Sequence, residues 1–416
     1  MVQRLLLCIC LGFNSIALAV EHPVIFSALV NPDSRELSLP FQTYTDLPEA
    51  QLFYQRLNLQ GHWPILEKTP LLRLGDRHQQ TKILRHQLFL LGDYPRRTLI
   101  TRDRNLFDSD LSEALKRFQF RHGAKVDGIL GPESRGMLNV SPAVRLGQLQ
   151  LNQIRNQQFQ SQLSGQNGER YIQVNIPEFR LRLVDGDENL LQMKTIVGRK
   201  KRKTPVFFTE IKALVLNPSW TVPKSIAYKD IIPDWQQNPN HLSRSKLQVV
   251  NGWGNNRQRV PETEVDPQQM YLGRNYNYFW KAPGADNPLG RIKFMSRSRY
   301  AIYLHDTSAP RLFDNPRRDF SSGCIRVERA QDLAQMLLQL DSPEQQSLLE
   351  KGLSIDETGE IHLRQPVPVY MTYWTAWVDR KGLLNFRNDI YNRDGWEMSQ
   401  FLSSAQVEQG ILKTAD

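Results

Sequence analysis

Cysteine is nearly absent: the chain of 416 residues has three. Cys8 and Cys10 lie in an apolar N-terminal stretch, so Cys324 stands alone in the remainder and has no partner there for an internal disulfide. Metal-ligand spacing is missing too. Nothing resembles HExxH or a zinc ribbon, and no metal is implied. Gly252-Trp253-Gly254 is too short for a nucleotide-binding loop, and no cofactor is expected. No apolar run reaches the ~20 residues that a helix needs to span a bilayer. Gly and Pro number 24 each, ordinary usage that excludes collagen-like and low-complexity chains. No internal repeat is visible.

The residues present are those of a folded chain, 40% hydrophobic and 23% charged. At roughly 100–200 residues per domain, the length predicts two to four domains. Lys and Arg outnumber Asp and Glu by 53 to 43, and the net charge of +10 favours an anionic partner: nucleic acid, a membrane surface or an acidic polymer. The N-terminus narrows that choice. Arg4 precedes the apolar run 5–18, and Ala17-Leu18-Ala19 puts small residues where a signal peptidase reads. Cleavage after Ala19 and export are expected, leaving no transmembrane anchor and disfavouring nucleic acid. A lone thiol in an oxidising compartment is either buried and inert or a nucleophile, and residue type does not choose between them.

Along the chain, apolar residues at spacings of three and four predict a helical scaffold over 20–74. A small helical module follows over 75–140, with helices near 77–91 and 112–121 and a third opened by Gly131-Pro132, proline suiting the first helical position. Its segment LSEALKRFQFRHGAKVDGILGPESRGMLN resembles the peptidoglycan-binding domain of bacterial wall enzymes. Leu115, Phe118 and Val126 are expected in its core. The plainer reading is a helical spacer. A Gln/Asn-rich linker helix is predicted over 141–168.

From 169 the period changes to two, and YIQVNIPEFRLRLV and QMKTIVG read as strands. Further strands are expected over 211–216, 291–295 and 301–305, with an amphipathic helix over 331–340. This β-rich domain is bounded at 342, and 343–416 is expected to pack on it and on the scaffold. Within it, 223–284 lacks periodicity and reads as an insertion. The aromatics Tyr271, Tyr276, Tyr278, Phe279 and Trp280 either pack the insertion's own core or cap a substrate. The basic run Arg199-Lys200-Lys201-Arg202-Lys203 reads as a solvated turn or as an attraction to anionic wall or membrane.

The segment IYLHDTSAPRLFDNPRRDFSSGCIRVERA carries the chemistry. A cysteine needs a base or a positive field to become a thiolate near neutral pH, and His305, ending a predicted strand, is the best-placed base. Gly323 lets a carbonyl carbon approach Cys324, and the backbone amides of Ser322, Gly323 and Cys324 are candidate oxyanion donors. HDT followed by SSGCIRV resembles the signature of L,D-transpeptidases with the YkuD-type catalytic domain. IVGRKKRKTPVF, NPSWTVPKSIA, LGRIKFM and TAWVDRKGLLNFRNDIY resemble the large Gram-negative branch. Ser322 stands where many members have histidine.

The resemblance implies an α+β multidomain protein, with a mostly-β catalytic core, a capping insertion, a three-helix peptidoglycan-binding module and a helical scaffold. It also implies a periplasmic enzyme, open to trapping by carbapenems, that makes 3→3 cross-links. Cys324 would attack a tetrapeptide stem, releasing D-Ala, and His305 would move the protons. The other acceptors are water and a lipoprotein lysine, and the non-enzymatic rival is a wall-binding structural protein. Peptidoglycan stems are the expected partners, with penicillin-binding proteins or other wall synthases as possible regulators. Tyr303 shares a strand face with His305 and reads as a site group or as core. Arg326 shares a face with Cys324 and reads as a brace or as a carboxylate binder. Ser321 and Ser322 are expected to tie the turn, and Asp306 and Thr307 to support the histidine's loop.

Overall fold

The computed structural model describes residues 43–399, apart from 95–102, 165–169, 253, 275–276, 297 and 356. The expected leader with Cys8 and Cys10, and Tyr276 of the aromatic set, lie outside the described residues.

The N-terminal part is helical: α1 (Leu47–Leu59), α2 (Gln80–Leu90), α3 (Ser109–Arg121), α4 (Pro132–Leu138) and α5 (Pro142–Ser164). The side chain of Asp108 caps α3, accepting the Leu111 N–H at 2.9 Å. Leu111, Ala114, Leu115 and Phe118 then recur on one face and are fully buried. The helix expected from 77 starts at Gln80, because Leu72 and Arg77 are held extended in bridges to Leu130 and Leu106. Val126 is not a core residue but 41% exposed. Gln119 Oε1 accepts the Asp127 and Gly128 amides, which pins that turn at the surface, and Leu130 and Leu138 fill the core instead.

Four strands follow: β1 (Arg170–Asn175), β2 (Arg180–Asp185), β3 (Glu188–Gly198) and β4 (Phe207–Leu216). The insertion holds β5 (Trp220–Thr221), α6 (Lys224–Ile226), α7 (Ile232–Gln237), α8 (His241–Arg244), β6 (Gln248–Asn251), β7 (Gln258–Arg259), α9 (Pro267–Tyr271) and β8 (Tyr278–Lys281). Beyond it come β9 (Ile292–Ser296), β10 (Leu304–His305), β11 (Asp319–Ser321), β12 (Ile325–Val327), α10 (Ala330–Asp341), α11 (Gln346–Ser354), β13 (Gly359–Thr372), β14 (Ala376–Val378) and β15 (Leu384–Phe386).

The main sheet runs β11-β3-β12-β10-β9-β4-β13-β1-β2, and β2 pairs back onto β3, so the sheet closes on itself. β13 lies between β4 and β1 at the heart of this sheet, so the β-rich domain does not end at 342. Its buried Val367, Val369 and Met371 belong to the same core as Leu304 and Ile325. Only the segment from β14 onward leaves the sheet: Ala376, Leu384 and Phe386 are buried with Leu115 and Phe118 in the helical core. The insertion has its own sheet, β5-β8-β6-β7, and its own core around Ile232, Trp235, Val249 and Phe279. The aromatic set therefore divides, with Phe279 fully buried and Tyr271 half-exposed. Its strands and helices are each too short to leave a periodic trace in the sequence.

Candidate active site

Strand alternation builds the site. On β9, β10 and β12, Phe294, Leu304 and Ile325 lie in register and are fully buried inside the closed sheet. The next residues in the same registers, Lys293, His305 and Arg326, form a row on the opposite face. Tyr303 and Cys324, each two residues earlier, share that face, and Tyr303 O accepts the Ile325 N–H at 3.0 Å. The strand expected over 301–305 shortens to two residues because Ala301 adopts φ +52°. A left-handed non-glycine residue costs about 1–2 kcal/mol and is tolerated where its surroundings fix it. Here the Ala301 carbonyl faces the Cys324 thiol, with Sγ 4.0 Å away.

His305 is 4% exposed, and its Nδ1 lies 2.5 Å from the Asp306 carbonyl oxygen. A carbonyl only accepts, so Nδ1 carries the proton and Nε2 keeps its lone pair. Burial is the main cause that holds the imidazole down to about 3, and the Arg326 and Lys293 cations add to it. Asp306 braces the neighbouring turn: its Oδ2 accepts the Arg291 N–H at 2.8 Å, and its side chain fills the space a Cβ on Gly290 would take. Thr307 Oγ1 accepts the Ala309 N–H at 3.2 Å and faces Arg326 Nη1 at 3.4 Å.

Cys324 is half-buried, and burial pushes its thiol up. Hydrogen bonds from Tyr303, backbone and hydroxyl, and the charges of Lys293 and Arg326 pull in the other direction. The Tyr303 hydroxyl is itself pushed up by burial and by the sulfur, so it stays a donor. Its ring centroid is 5.7 Å from that of His305. At rest the site thus holds a neutral imidazole and a protonated thiol.

The turn before the cysteine is tied by side chains. Ser321 Oγ donates to Cys324 O at 2.6 Å and accepts the Gly323 N–H at 3.0 Å, while Thr204 Oγ1 donates to Gly323 O at 2.7 Å. The Gly323 amide is therefore spent inside the turn, which removes it from the expected oxyanion donors. The Ser322 and Cys324 amides have no acceptor among the described residues. Gly323 has φ +122° and no atom nearer than 3.7 Å to a built Cβ, so backbone conformation, not space, requires glycine.

The basic run is an exposed turn, as expected, but three of its residues are also engaged with neighbouring segments. Arg202 donates to Ser322 Oγ at 2.9 Å and pairs with Asp230 of the insertion, Arg199 reaches Ser322 Oγ at 3.2 Å, and Lys203 donates to Tyr391 O at 2.9 Å. Sequence reasoning missed Lys293, Ala301 and the Arg202–Asp230 pair. A lysine between two buried residues of a strand was a readable signal, whereas the other two depend on tertiary placement. A groove of about 710 Å³ beside Tyr171, Trp374 and Trp377 contains none of these residues.

Residues 169–369 match the YkuD family, described as an L,D-transpeptidase catalytic domain. Residues 77–138 match a family described as "Putative peptidoglycan binding domain". A curated protein of Haemophilus influenzae, "Putative L,D-transpeptidase", is 31% identical over 226 residues, which are 54% of this chain and 44% of that one. The match thus spans under half the length of that relative. Among solved structures, an L,D-transpeptidase from Mycobacterium smegmatis aligns at 11% identity and a TM-score of 0.23, over 48% of this chain and 58% of that one. Another, from Stackebrandtia nassauensis, aligns at 13% identity and a TM-score of 0.25, over 74% and 96%. Structural scores this low add nothing to the sequence matches. The β domain is of the transpeptidase class. The chain carries a YkuD-type L,D-transpeptidase catalytic domain joined to a peptidoglycan-binding domain.

Proposed function

We propose that the protein is a periplasmic L,D-transpeptidase that forms 3→3 peptidoglycan cross-links through an acyl-enzyme on Cys324. The supporting observation is the convergence of Cys324, Tyr303 and the Nδ1-protonated His305 on one face of β10 and β12. The Cys324 sulfur attacks the carbonyl carbon at the L-centre of diaminopimelate in a tetrapeptide stem, and its proton passes to His305 Nε2. The Ser322 and Cys324 amides are the donors available to the developing oxyanion, and losing one such donor costs roughly 10²–10³-fold in rate. The C–N bond breaks, the imidazolium protonates the leaving amine, and D-Ala departs. The side-chain amine of a second stem then attacks the thioester, giving its proton to His305 and restoring the thiol. One peptide bond is exchanged for another, so no ATP is needed.

Arg326 serves the stem rather than the fold in this reading. Its buried Nε has no partner among the described residues, and its one hydrogen bond, to Thr307, is long at 3.4 Å. A guanidinium left with open donors beside a reactive thiol suits a substrate carboxylate. The peptidoglycan-binding domain would bring the same polymer to the site.

The test is incubation with disaccharide-tetrapeptides, with products read by mass spectrometry and Cys324→Ala alongside. A 3→3 dimer with free D-Ala, lost in the variant, is the expected result. Cys324-dependent tripeptide without dimer would replace transpeptidation by hydrolysis, and dimer formation by the variant would remove Cys324 as nucleophile.

A further inference from the structure

Lys293 is the second residue of β9, between Ile292 and Phe294, whose side chains are buried inside the closed sheet. Alternation places the lysine on the outer face, opposite His305 in the β9–β10 register. It is only half-exposed there, and Glu360 acts on it from two strands away without forming an ion pair. Its ammonium lies 4.2 Å from the Tyr303 ring centroid. The same tyrosine shares a face with Cys324 and pulls its thiol down, while the sulfur pushes the tyrosine up. A half-buried ammonium outside an ion pair is costly, and a strand position gains nothing from one that a methionine would not supply.

We propose that Lys293 is the charge partner of Cys324: stacked on Tyr303, it stabilises the thiolate that His305 generates and holds the tyrosine hydroxyl onto the sulfur. This rests on the reading of Cys324 as the nucleophile. The groups acting on the sulfur are Tyr303 from the β10 segment, Arg326 from β12 and Lys293 from β9, with His305 on the same face of β10. Beyond them, Glu360 of β13 reaches Lys293 across β4, through the registers Glu360↔Val215 and Val215↔Lys293. Burial pushes the lysine down, while Cys324 and Glu360 pull it up, so lysine and thiolate each favour the other's charged form. Lys293 acts through Cys324, as a positioning residue, and breaks no bond itself. Two cations beside one thiol divide the work, with Lys293 on the sulfur and Arg326 left open to the stem.

The experiment measures the pH dependence of Cys324 alkylation by iodoacetamide in the full chain, for the native protein, Lys293→Gln, Lys293→Arg and Tyr303→Phe. Thermal melting confirms that each variant is folded. Lys293→Gln is expected to move the alkylation midpoint upward by about one pH unit, slowing alkylation roughly tenfold at neutral pH. Lys293→Arg should keep the native midpoint, and Tyr303→Phe should move it in the same direction as Lys293→Gln. An unmoved midpoint in Lys293→Gln, or an equal displacement in Lys293→Arg, overturns the proposal. Cys324→Ala in the product assay decides the nucleophile separately, because alkylation reads the thiol whether or not it turns over stems.

Discussion

Arg202 and Asp230 tie the cysteine turn to the insertion over 223–284. The guanidinium holds the carboxylate through Nη2–Oδ1 at 2.7 Å and Nη1–Oδ2 at 2.5 Å, and the same Nη1 donates to Ser322 Oγ at 2.9 Å. Asp230 lies between α6 and α7 of the insertion, while Arg202 follows β3 of the catalytic sheet. Insertion and turn therefore share one cation. A serine at 322 has a clear use in this setting: its hydroxyl accepts from two arginines, which a protonated imidazole at that position would repel.

Asp230→Asn should loosen the insertion without touching the thiol. A hydrogen bond to a charged group contributes roughly 1.5–3 kcal/mol, so KM for tetrapeptide stems is expected to rise about tenfold while Cys324 alkylation keeps its rate. Hydrogen exchange across 223–284 should quicken. Unchanged exchange and unchanged KM would show that the pair does not hold the insertion.

How much of this was legible in the sequence depends on how local the cause is. The amphipathic face of α3 and the alternation of β9, β10 and β12 are written in residues a few positions apart, and they were readable. So was the family signature around His305 and Cys324. The place of β13 was not, because its partners β1 and β4 are far away in the chain and nothing local says which strands it will join. The loss of the Gly323 amide to Ser321 was equally hidden: spacing brings the two together, but only the φ of +122° at Gly323 decides where that amide points. Lys293 falls between these cases, since its face was readable and its neighbour Tyr303 was not.

The depressed His305 gives a pH prediction. An ordinary imidazole gains its proton near 6.5, whereas burial holds this one down to about 3, so the neutral base persists through the mildly acidic range. Single-turnover acylation by a carbapenem, followed by mass, should show no inflection near pH 6.5. Stability follows with a definite sign. The unfolded chain takes up the proton below 6.5 and the folded one resists until about 3, so stability present above 6.5 is lost as the pH falls through that window. Buried His122, held down chiefly by burial, adds the same sign. An acid limb of acylation centred near 6.5 in a protein that is still folded would contradict the neutral-imidazole arrangement.

The helical core offers a test of stability away from the chemistry. Asp93 is fully buried, its carboxylate gripped by Arg121 through Nε at 2.9 Å and Nη2 at 2.6 Å, and its backbone oxygen accepts from Arg117 at 2.7 Å. Arg387, which follows β15, donates to the Arg121 carbonyl at 3.0 Å, so this pair sits where the C-terminal segment meets α3. Arg121→Met removes every hydrogen bond that Arg121 gives to the buried carboxylate and leaves only the Arg117 charge nearby, a loss of about 3–5 kcal/mol. The reverse change, Asp93→Leu, strands the guanidinium and should cost a similar amount. Pairing an apolar residue with an apolar residue removes both charges, and the double variant should recover most of the loss, because a buried ion pair contributes little beyond an apolar replacement of like volume. Urea unfolding followed by fluorescence gives the four corners of the cycle. Two single losses that merely add in the double variant would mean that Asp93 and Arg121 are stabilised by separate neighbours and not by each other.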